Sequence, residues 1–384
     1  MVEWKEIKEV FETRNGYTPS TTNESFWEGG DIPWFKMEDI RDNGGILNDS
    51  YLHITDAAVK GKGLFKANSI LLATSATIGE HALITIDHLS NQRFTNLYPK
   101  AKFEHIINMR YVYYYMFKID EWCKQHVNQG GFASVDMGGL YKLAFPIPSL
   151  SEQERIVGIL DTFTSSIDNL KQQIVQRRKQ YEYYRDQLLD IEGKEGVEMK
   201  EIKDVCKKIC SGGTPSTSKH EYYGGYIPWL RTQEVDWKEI YDTEIKITDE
   251  AIANSSAKII PANCVIVAMY GATAAKVAIN KIPLSTNQAC CNLEIESTMA
   301  LYRYVFYWLC KEYQNLKAMG EGSQNNINGQ KVKDYPIPVP SLYEQQRIVE
   351  ILDKFEASIQ NLEAQLSQRE KQYEYYRNKL LTFD

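Results

Sequence analysis

The sequence predicts a mixed α/β protein made of two copies of one globular unit, each followed by a long helix. Three observations lead to this fold class: a tandem duplication, a heptad pattern present in both copies, and short apolar runs of strand type between polar turns. Residues 151–189 and 343–381 are identical at 25 of 39 positions, at a constant offset of 192. The 384-residue chain therefore has room for two domains of ordinary size plus the helices.

Apolar side chains recur in alternating steps of four and three along both duplicated segments. This is the a/d pattern of a helix that packs against a partner helix, so each copy is the natural partner of the other. We expect an antiparallel coiled coil with pseudo-two-fold symmetry and a globular domain at each end. The residues expected to pair the helices are Ile156, Leu160, Phe163, Ile167, Leu170, Ile174, Ile348, Leu352, Phe355, Ile359, Leu362 and Leu366.

Both helices have the same start signals. Pro-Ile-Pro at 146–148 and at 336–338 cannot continue a helix backwards. Each motif is followed by a serine and, three residues later, a glutamate, which is the spacing of a capping box. A helix of 39 residues would be about 58 Å long at about 1.5 Å per residue, which favours a spacer over a simple pairing hairpin.

The predicted organisation has four parts. They are a first globular domain (1–150), a central long helix that acts as spacer (151–192), a second globular domain (193–342) and a C-terminal long helix that acts as spacer (343–384). In the domains, the apolar runs 69–74 and 264–269 predict buried strands. The aromatic segments 106–125 and 300–317 predict a helix whose tyrosines pack against a sheet rather than stack on bases.

Composition limits the class of protein. Hydrophobic content of 43% and charged content of 25% are typical of a folded soluble protein. No signal peptide and no membrane-spanning run is visible, so we expect a cytoplasmic location without membrane association. The seven cysteines lack metal-ligand spacing, so we expect free thiols and no metal site. A formal charge of -7 is unexpected for a nucleic-acid binder, although it permits a local basic face.

Motifs of known enzymes are missing. The sequence has no phosphate-binding loop, no dinucleotide-binding glycine motif, no zinc-protease motif, no nucleophile elbow and no Pro-Pro pair of the kind used by amino-methylating enzymes. Its six histidines are scattered singly, and none matches between the copies. The sequence therefore favours binding without catalysis, while a nuclease site built from scattered carboxylates stays open.

Four short motifs recur in the same order in both copies. They are Ile-Pro-Trp with a basic residue two places later (32–36 and 227–231), Asn-Gln at 91 and 287, Pro-Ile-Pro before each long helix, and Glu-Gln-x-Arg-Ile-Val (152–157 and 344–349). In this order, and over nearly the whole chain, they resemble the specificity subunits of type I restriction-modification systems.

That resemblance implies a non-catalytic subunit that selects the DNA sequence. Each globular unit would be a target recognition domain that reads one half of a bipartite, asymmetric target, while the helices hold the halves apart. The implied partners are double-stranded DNA, two adenine-N6 methyltransferase subunits and restriction subunits that act as ATP-dependent translocase and nuclease. S-adenosylmethionine, ATP and magnesium would belong to those partners, and this chain would carry no cofactor.

Candidate DNA contacts lie in loops of both units. Basic side chains suit phosphates and guanine edges, and amides suit adenine edges, although each could equally stabilise a turn. The candidates are Lys36, Asn91, Gln92, Arg93, Arg231, Asn287, Gln288, Gln324, Asn325 and Asn326. The basic cluster 177–179 on the central helix is expected to be a solvated face or a partner contact.

Two differences between the copies bear on function. The polar loop sequence GGFASVDMGG (130–139) lacks the amide-rich character of GSQNNING (322–329) in the second copy, as an asymmetric target would require. Gly79 aligns with Ala275, so a backbone conformation that needs glycine is not expected in the second copy. Three alternatives to a specificity subunit working in a complex remain: a coiled-coil scaffold whose globular units bind proteins, a nuclease with a carboxylate site, and an orphan specificity subunit without partners.

Overall fold

The computed structural model of the chain describes residues 2–128, 133–321 and 326–383. The chain forms two compact units: Met1–Leu170 with Gln365–Asp384, and Lys171–Ala364. Each unit contains one globular part and a segment of each long helix. The predicted fold class is confirmed, because each globular part mixes strands with helices and is followed by a long helix.

The first unit is built on a five-stranded sheet. Its strands are β1 (Glu3–Glu6), β2 (Phe11–Asn15), β3 (Ile32–Phe35), β4 (Ile46–Leu47), β5 (His53–Ile54), β6 (Ser69–Ala73), β7 (His81–Ile84), β8 (Leu89–Ser90), β9 (Phe94–Pro99), β10 (Val127–Asn128), β11 (Ser134–Val135) and β12 (Ala144–Ile147). Its helices are α1 (Ile7–Val10), α2 (Met37–Asn43), α3 (Met109–Gln125), α4 (Met137–Lys142) and the start of α5 (Leu150–Leu188). The main sheet has the order β2-β9-β6-β7-β4, a smaller one has the order β5-β3-β8, and β1 pairs with β12.

The second unit repeats this plan. Its strands are β13 (Glu198–Glu201), β14 (Cys206–Ser211), β15 (Tyr223–Leu230), β16 (Glu239–Ile240), β17 (Ile245–Ile247), β18 (Ile259–Ile260), β19 (Val265–Ala268), β20 (Val277–Asn280), β21 (Leu284–Thr286), β22 (Cys290–Ile295) and β23 (Pro336–Val339). Its helices are α6 (Asp249–Ala253), α7 (Tyr302–Lys311), α8 (Tyr313–Ala318), α9 (Gly329–Lys333) and the start of α10 (Leu342–Leu380). The sheets have the orders β14-β22-β19-β20-β16 and β17-β15-β21-β18, and β13 pairs with β23.

The central strands and the aromatic helices form the cores. β6 and β19 lie where the apolar runs predict them, and every residue of both strands is buried. α3 begins three residues later than predicted, and the second aromatic segment is divided into α7 and α8. Four tyrosines of these helices are fully buried, which confirms that they pack in the core: Tyr111, Tyr114, Tyr304 and Tyr307.

Each long helix begins on its own globular part. Ser149 caps the start of α5 by accepting a hydrogen bond from the backbone nitrogen of Glu152 (3.3 Å), and Ser341 caps α10 in the same way. The first heptad positions, Ile156 and Leu160, are buried in the core of the first unit. Heptad positions at the start of each helix therefore anchor it to the globular part as well as facing the other helix.

A buried tyrosine and an arginine secure this anchoring. The hydroxyl of Tyr114 and the guanidinium of Arg110 both donate to Asp161 of α5, at 2.5 and 2.8 Å. The second unit repeats the arrangement, because Tyr307 and Arg303 donate to an aspartate of α10 at 2.6 and 2.8 Å. Burial raises the pKa of both tyrosines, so that their hydroxyls remain protonated donors.

The two long helices pack antiparallel within each unit. In the second unit, Arg178 pairs with Glu363 at 2.5 Å, and Tyr184 stacks on Phe355 with ring centroids 5.5 Å apart. Residue numbers rise along one helix and fall along the other, which defines the direction. The predicted pairing positions Ile156, Leu160, Ile167, Ile174, Ile348 and Leu352 are buried, and Phe163, Leu170, Phe355, Ile359, Leu362 and Leu366 are half-buried.

The expectation for Gly79 and Ala275 is wrong. Gly79 has a φ of 77° and Ala275 a φ of 69°, so both occupy the left-handed region. The backbone nitrogen of each donates to the alanine at the end of the preceding strand, Ala73 or Ala268. The hairpin geometry requires this conformation in both copies, and the second copy adopts it although its residue has a Cβ atom.

Replacing Ala275 with glycine should change the stability of the second unit by less than about 1 kcal/mol. Leaving the left-handed region to glycine gains about 1 to 2 kcal/mol. The greater flexibility of glycine in the unfolded chain and the loss of a fully buried methyl group, about 0.8 kcal/mol, oppose this gain. The matched change Gly79→Ala should destabilise the first unit more strongly, because its Cβ would lie 2.7 Å from the carbonyl oxygen of Asp120. Thermal denaturation of both variants measures the two effects, and equal destabilisation by the two changes would contradict the argument.

Candidate functional site

Three loops of the first unit meet at the carboxyl end of β6. The backbone nitrogen of Thr74 donates to the carbonyl of Arg93 at 2.9 Å, which joins this end of the strand to the turn that carries Asn91. The backbone nitrogen of Val135 donates to the carbonyl of Thr74 at 2.9 Å, and Ser75 forms an antiparallel β-bridge with Ser134. The Asn-Gln turn and the described part of the polar loop therefore lie together, although they are far apart in sequence.

The Ile-Pro-Trp motif at 32–34 holds in place the loop cluster formed by the end of β6, the Asn-Gln turn and residues 133–135. The indole nitrogen of Trp34 donates to the carbonyl of Tyr17 at 3.0 Å, and the backbone nitrogen of Asn91 donates to the carbonyl of Phe35 at 3.1 Å. The hydroxyl of Thr18 donates to the side-chain oxygen of Gln92 at 2.5 Å. The tryptophan thus has a positioning role: it holds the Thr-Pro-Ser-Thr passage against the turn.

The second unit builds the same cluster. The backbone nitrogen of Met269 donates to Ala289 at 2.8 Å, and that of Ile327 donates to Met269 at 2.9 Å. The indole nitrogen of Trp229 donates to the carbonyl of Gly213 at 3.0 Å, and the backbone nitrogen of Asn287 donates to the carbonyl of Leu230 at 2.9 Å. Duplicated motifs therefore give duplicated loop geometry, with different side chains presented by each unit.

Three candidate asparagines use their side-chain oxygens to stabilise loops. The oxygen of Asn91 accepts from the backbone nitrogen of Arg93 at 3.0 Å, and that of Asn287 accepts from the thiol of Cys290 at 3.3 Å. The oxygen of Asn326 accepts from the backbone nitrogen of Gly271 at 3.0 Å. A two-bond contact to an adenine edge needs both the oxygen and the nitrogen of the amide, so this geometry favours single donation from the nitrogen.

Of the remaining amide candidates, Gln288 is exposed on the turn that follows β21. Gln324 and Asn325 lie outside the described residues. The part each amide plays in base recognition remains a prediction.

The paired basic candidates have different surroundings. Lys36 follows β3, and its ammonium lies 4.0 Å from the carboxylate of Glu38. Arg231 follows β15 and is held by Glu244, to which its guanidinium donates at 2.5 Å. Arg231 must exchange this carboxylate for a phosphate to bind DNA, whereas Lys36 is opposed more weakly. Arg93 is exposed on its turn, with no ion pair among the residues that the structure describes.

Sequence reasoning missed two features of the cluster. Buried Asp39 accepts from the backbone nitrogen of Lys36 at 2.6 Å and from that of Tyr51 at 2.7 Å, so it shapes the turn that presents the lysine. Tyr270 lies two residues after the end of β19 and is exposed at the same edge. An aromatic residue at the end of a buried apolar run was the available signal for Tyr270, whereas nothing local marks Asp39.

Five of the seven cysteines and two of the six histidines, His81 and His88, are buried. All seven cysteines are free thiols. Burial raises the pKa of Cys206 and Cys291 to about 12, which keeps both protonated. Burial also lowers the pKa of His88 to about 4, while His81 is bound to Asp120 with 2.6 Å between Nδ1 and the carboxylate. Within the described ranges, no group of side chains is arranged to hold a metal ion.

Comparison with known families identifies the duplicated unit. The family described as the type I restriction modification DNA specificity domain matches residues 1–177 and again residues 194–370. The chain belongs to this family. The two matches correspond to the two copies of the globular part with most of the helix that follows each.

Relatives and solved structures agree with that assignment. The specificity subunit of the type I restriction enzyme EcoprrI from Escherichia coli is 49% identical over 209 residues, covering 50% of this chain and 52% of the relative. The chain thus matches about half the length of that relative. A chain of a type I restriction-modification system solved in a study of complex assembly is 16% identical with a TM-score of 0.68, covering 100% of this specificity-domain chain and 98% of the other.

A second solved structure has the same fold. The type I restriction-modification S subunit from M. genitalium is 14% identical with a TM-score of 0.59, covering 100% of this chain and 96% of that subunit. Among the described helices of this specificity-domain chain, none is both long and apolar enough to cross a bilayer.

Proposed function

We propose that this chain is the DNA sequence-specificity subunit of a type I restriction-modification complex. The observation that carries the proposal is the duplicated loop cluster, built on the same scaffold in both units but presenting different side chains. Lys36 in one unit corresponds to the carboxylate-bound Arg231 in the other, and the polar loops differ in amide content. Two non-identical readers suit a bipartite, asymmetric target, because groove-edge contacts specify bases and phosphate contacts set register.

In this proposal the chain itself is non-catalytic. Residues 1–150 and 193–342 act as target recognition domains, while 151–192 and 343–384 act as spacers that dock two methyltransferase subunits and the restriction subunits. S-adenosylmethionine, ATP and magnesium are bound by those partners, and the complex works in the cytoplasm. The burial of five of the seven thiols and of His88 supports a chain that contributes recognition rather than chemistry.

A base-resolved map of N6-methyladenine tests this function. DNA would be taken from cells that express the chain with a candidate methyltransferase partner, and from control cells that lack the chain. We expect a new methylated motif in two parts separated by a gap of fixed length and unspecified sequence. A stable complex that produces no new motif would contradict the specificity function and favour a scaffold.

The spacer role predicts a change in the gap of that motif. Deleting one heptad from each long helix, residues 171–177 and 363–369, removes about 10 Å of helix at about 1.5 Å per residue, which is close to three base pairs at about 3.4 Å per step. The methylated motif should keep both half-sites and lose about three base pairs of the gap. The matched variant repeats the same heptads and should lengthen the gap equally; an unchanged gap in both variants would rule out the spacer role.

A further inference from the structure

The first unit has an open groove beside β2, the edge strand of its main sheet. The groove has a volume of about 630 Å³. Among the described residues that line it, the basic side chains outnumber the single acid, Glu12. The basic residues are Lys8, Arg14, Lys62, Lys66 and Lys100. Such a concentration of positive charge is unusual for a chain with a net charge of -7, and it marks a local anionic partner.

Several of these cations have no carboxylate to balance them. The guanidinium of Arg14 donates to the backbone carbonyls of Lys62 and Gly63 and lies over the ring of Phe65, 4.2 Å from its centroid. The ammonium of Lys100 donates to the carbonyl of Lys8 at 2.5 Å. Within the described residues, neither forms an ion pair, nor does exposed Lys62. Backbone carbonyls position these groups without cancelling their charge.

The other two lysines have weak, exposed partners. Lys8 pairs with Glu6 at 2.6 Å, and Lys66 lies 3.5 Å from Glu104. Exposed ion pairs of this kind contribute about 0 to 1 kcal/mol. A phosphate can therefore replace these carboxylates at little cost.

The duplication supplies an internal comparison. In the first unit Glu12 faces Tyr98 across β2 and β9, while in the second unit Lys208 faces Glu294 across β14 and β22. The backbone nitrogen of Lys100 donates to the carbonyl of Val10, the last residue of α1. In the second unit the backbone nitrogen of Glu296 donates to the carbonyl of Val205, so Glu296 occupies the position of Lys100. A neutral and a basic residue of the first copy thus correspond to glutamates in the second copy. At these two positions the first copy is therefore more positive than the second, although Lys208 stands where the first copy has Glu12.

The groove continues directly into the loop cluster. β2 ends at Asn15, and the hydroxyl of Thr18, three residues later, donates to Gln92. Four residues of chain span at most about 13 Å, which corresponds to at most about four nucleotides at about 3.4 Å each along one DNA strand. A strand whose bases reach the loop cluster can therefore continue along the groove.

We propose that this groove binds the phosphate backbone of duplex DNA that flanks the half-site read by the first unit. The inference rests on the proposed function and adds a contact that is independent of base sequence and asymmetric between the two half-sites. Arg14 holds the 62–66 loop in place, and the lysines meet the phosphates. Their contribution is to affinity and register rather than to choice of base.

The salt dependence of DNA binding tests this assignment. The full-length chain would be titrated with duplex DNA of mixed sequence at a series of NaCl concentrations, for the wild type and for Lys62→Gln/Lys66→Gln/Lys100→Gln. Each lost phosphate contact lowers the slope of log affinity against log salt by about 0.9, so the triple variant should lose about 2.7 from the slope. Its affinity at physiological salt should fall on the order of tenfold or more.

A matched variant controls for general loss of charge. Lys203→Gln/Lys207→Gln/Lys208→Gln removes three exposed lysines from the equivalent edge of the second unit and should change the slope by less than about one. Equal losses in both variants, or a wild-type slope in the groove variant, would overturn the groove assignment while leaving DNA binding intact. Failure of the wild type to bind duplex DNA at any salt concentration, both alone and with its methyltransferase partner, would instead overturn the proposed function.

Two further readouts complete the test. The melting temperatures of both triple variants should match that of the wild type, because the substituted side chains are outside the cores. A groove variant that keeps its DNA slope but loses a partner subunit would assign the groove to an acidic protein surface and overturn the proposal.

Discussion

Replacing Gln153 with leucine should lower the stability of the first unit by about 3 kcal/mol. The side chain is fully buried in the first turn of α5, where its oxygen accepts from the backbone nitrogen of Asn108 at 2.8 Å. Its nitrogen donates to the carbonyls of Ile106 and Pro148 at 2.8 and 2.9 Å. Leucine fills similar space but leaves these three backbone groups without partners. The contact to Pro148 is buried and the other two are partly buried, so each loss lies near the lower end of about 1 to 3 kcal/mol.

The loss should be visible as a lower melting temperature. For a unit of this size, about 3 kcal/mol corresponds to a decrease of about 6 to 12 °C. Glu154→Leu is the matched control, because the neighbouring side chain is exposed and should change stability little. Gln345→Leu should have the same effect on the second unit, since Gln345 accepts from the backbone nitrogen of Leu301 at 2.9 Å. Similar melting temperatures for Gln153→Leu and Glu154→Leu would disprove this role.

A fragment of residues 1–192 should form a dimer. In the full chain, the first unit is completed by Gln365–Asp384, and Leu381 of that segment is buried in its core beside Tyr373. The fragment lacks this segment and would expose the surface that it covers. It does contain a related sequence, however: residues 173–192 are identical to 365–384 at 12 of 20 positions, and Tyr181 and Leu189 stand at the same offset of 192 residues. Two copies can therefore exchange these segments and complete each other.

Light scattering coupled to size exclusion measures the mass of this fragment. We expect twice the monomer mass and a cooperative thermal transition. Leu189→Asp in the fragment should abolish the dimer, because the equivalent position Leu381 is 1% exposed in the full chain. Gln187→Asp, at an exposed position two residues earlier, is the matched control and should leave the dimer intact. A strictly monomeric, cooperatively folded fragment would contradict the prediction.

Local patterns in the sequence were sufficient for the main elements. The apolar runs of β6 and β19, the serine caps of α5 and α10, and the buried tyrosines of α3 all follow from signals within a few residues of chain. The duplication predicted the two-domain organisation, because motifs that occur twice in the same order indicate a repeated structural unit. The loop residues around Asn91 and Asn287 were also found in this way.

Long-range pairings were beyond such patterns. The opening segment pairs with Ala144–Ile147, so the Pro-Ile-Pro motif supplies the end of a strand as well as the start signal of the long helix. The buried amide of Gln153, the carboxylate of Asp39 and the left-handed Ala275 all depend on backbone groups brought from elsewhere in the chain. The sequence next to these residues therefore does not predict which backbone groups they contact.

The sequence by itself determined the class of protein: two copies of one mixed α/β unit, two long heptad helices, and motifs whose order indicates a specificity subunit. Periodicity and repetition are properties of the order of residues, so they can be recognised in the chain directly. Only the tertiary structure decided which polar side chains are committed to holding loops and which cations remain unbalanced along β2. Those outcomes depend on hydrogen bonds and charges between distant residues, which arise only when the sheet brings them together.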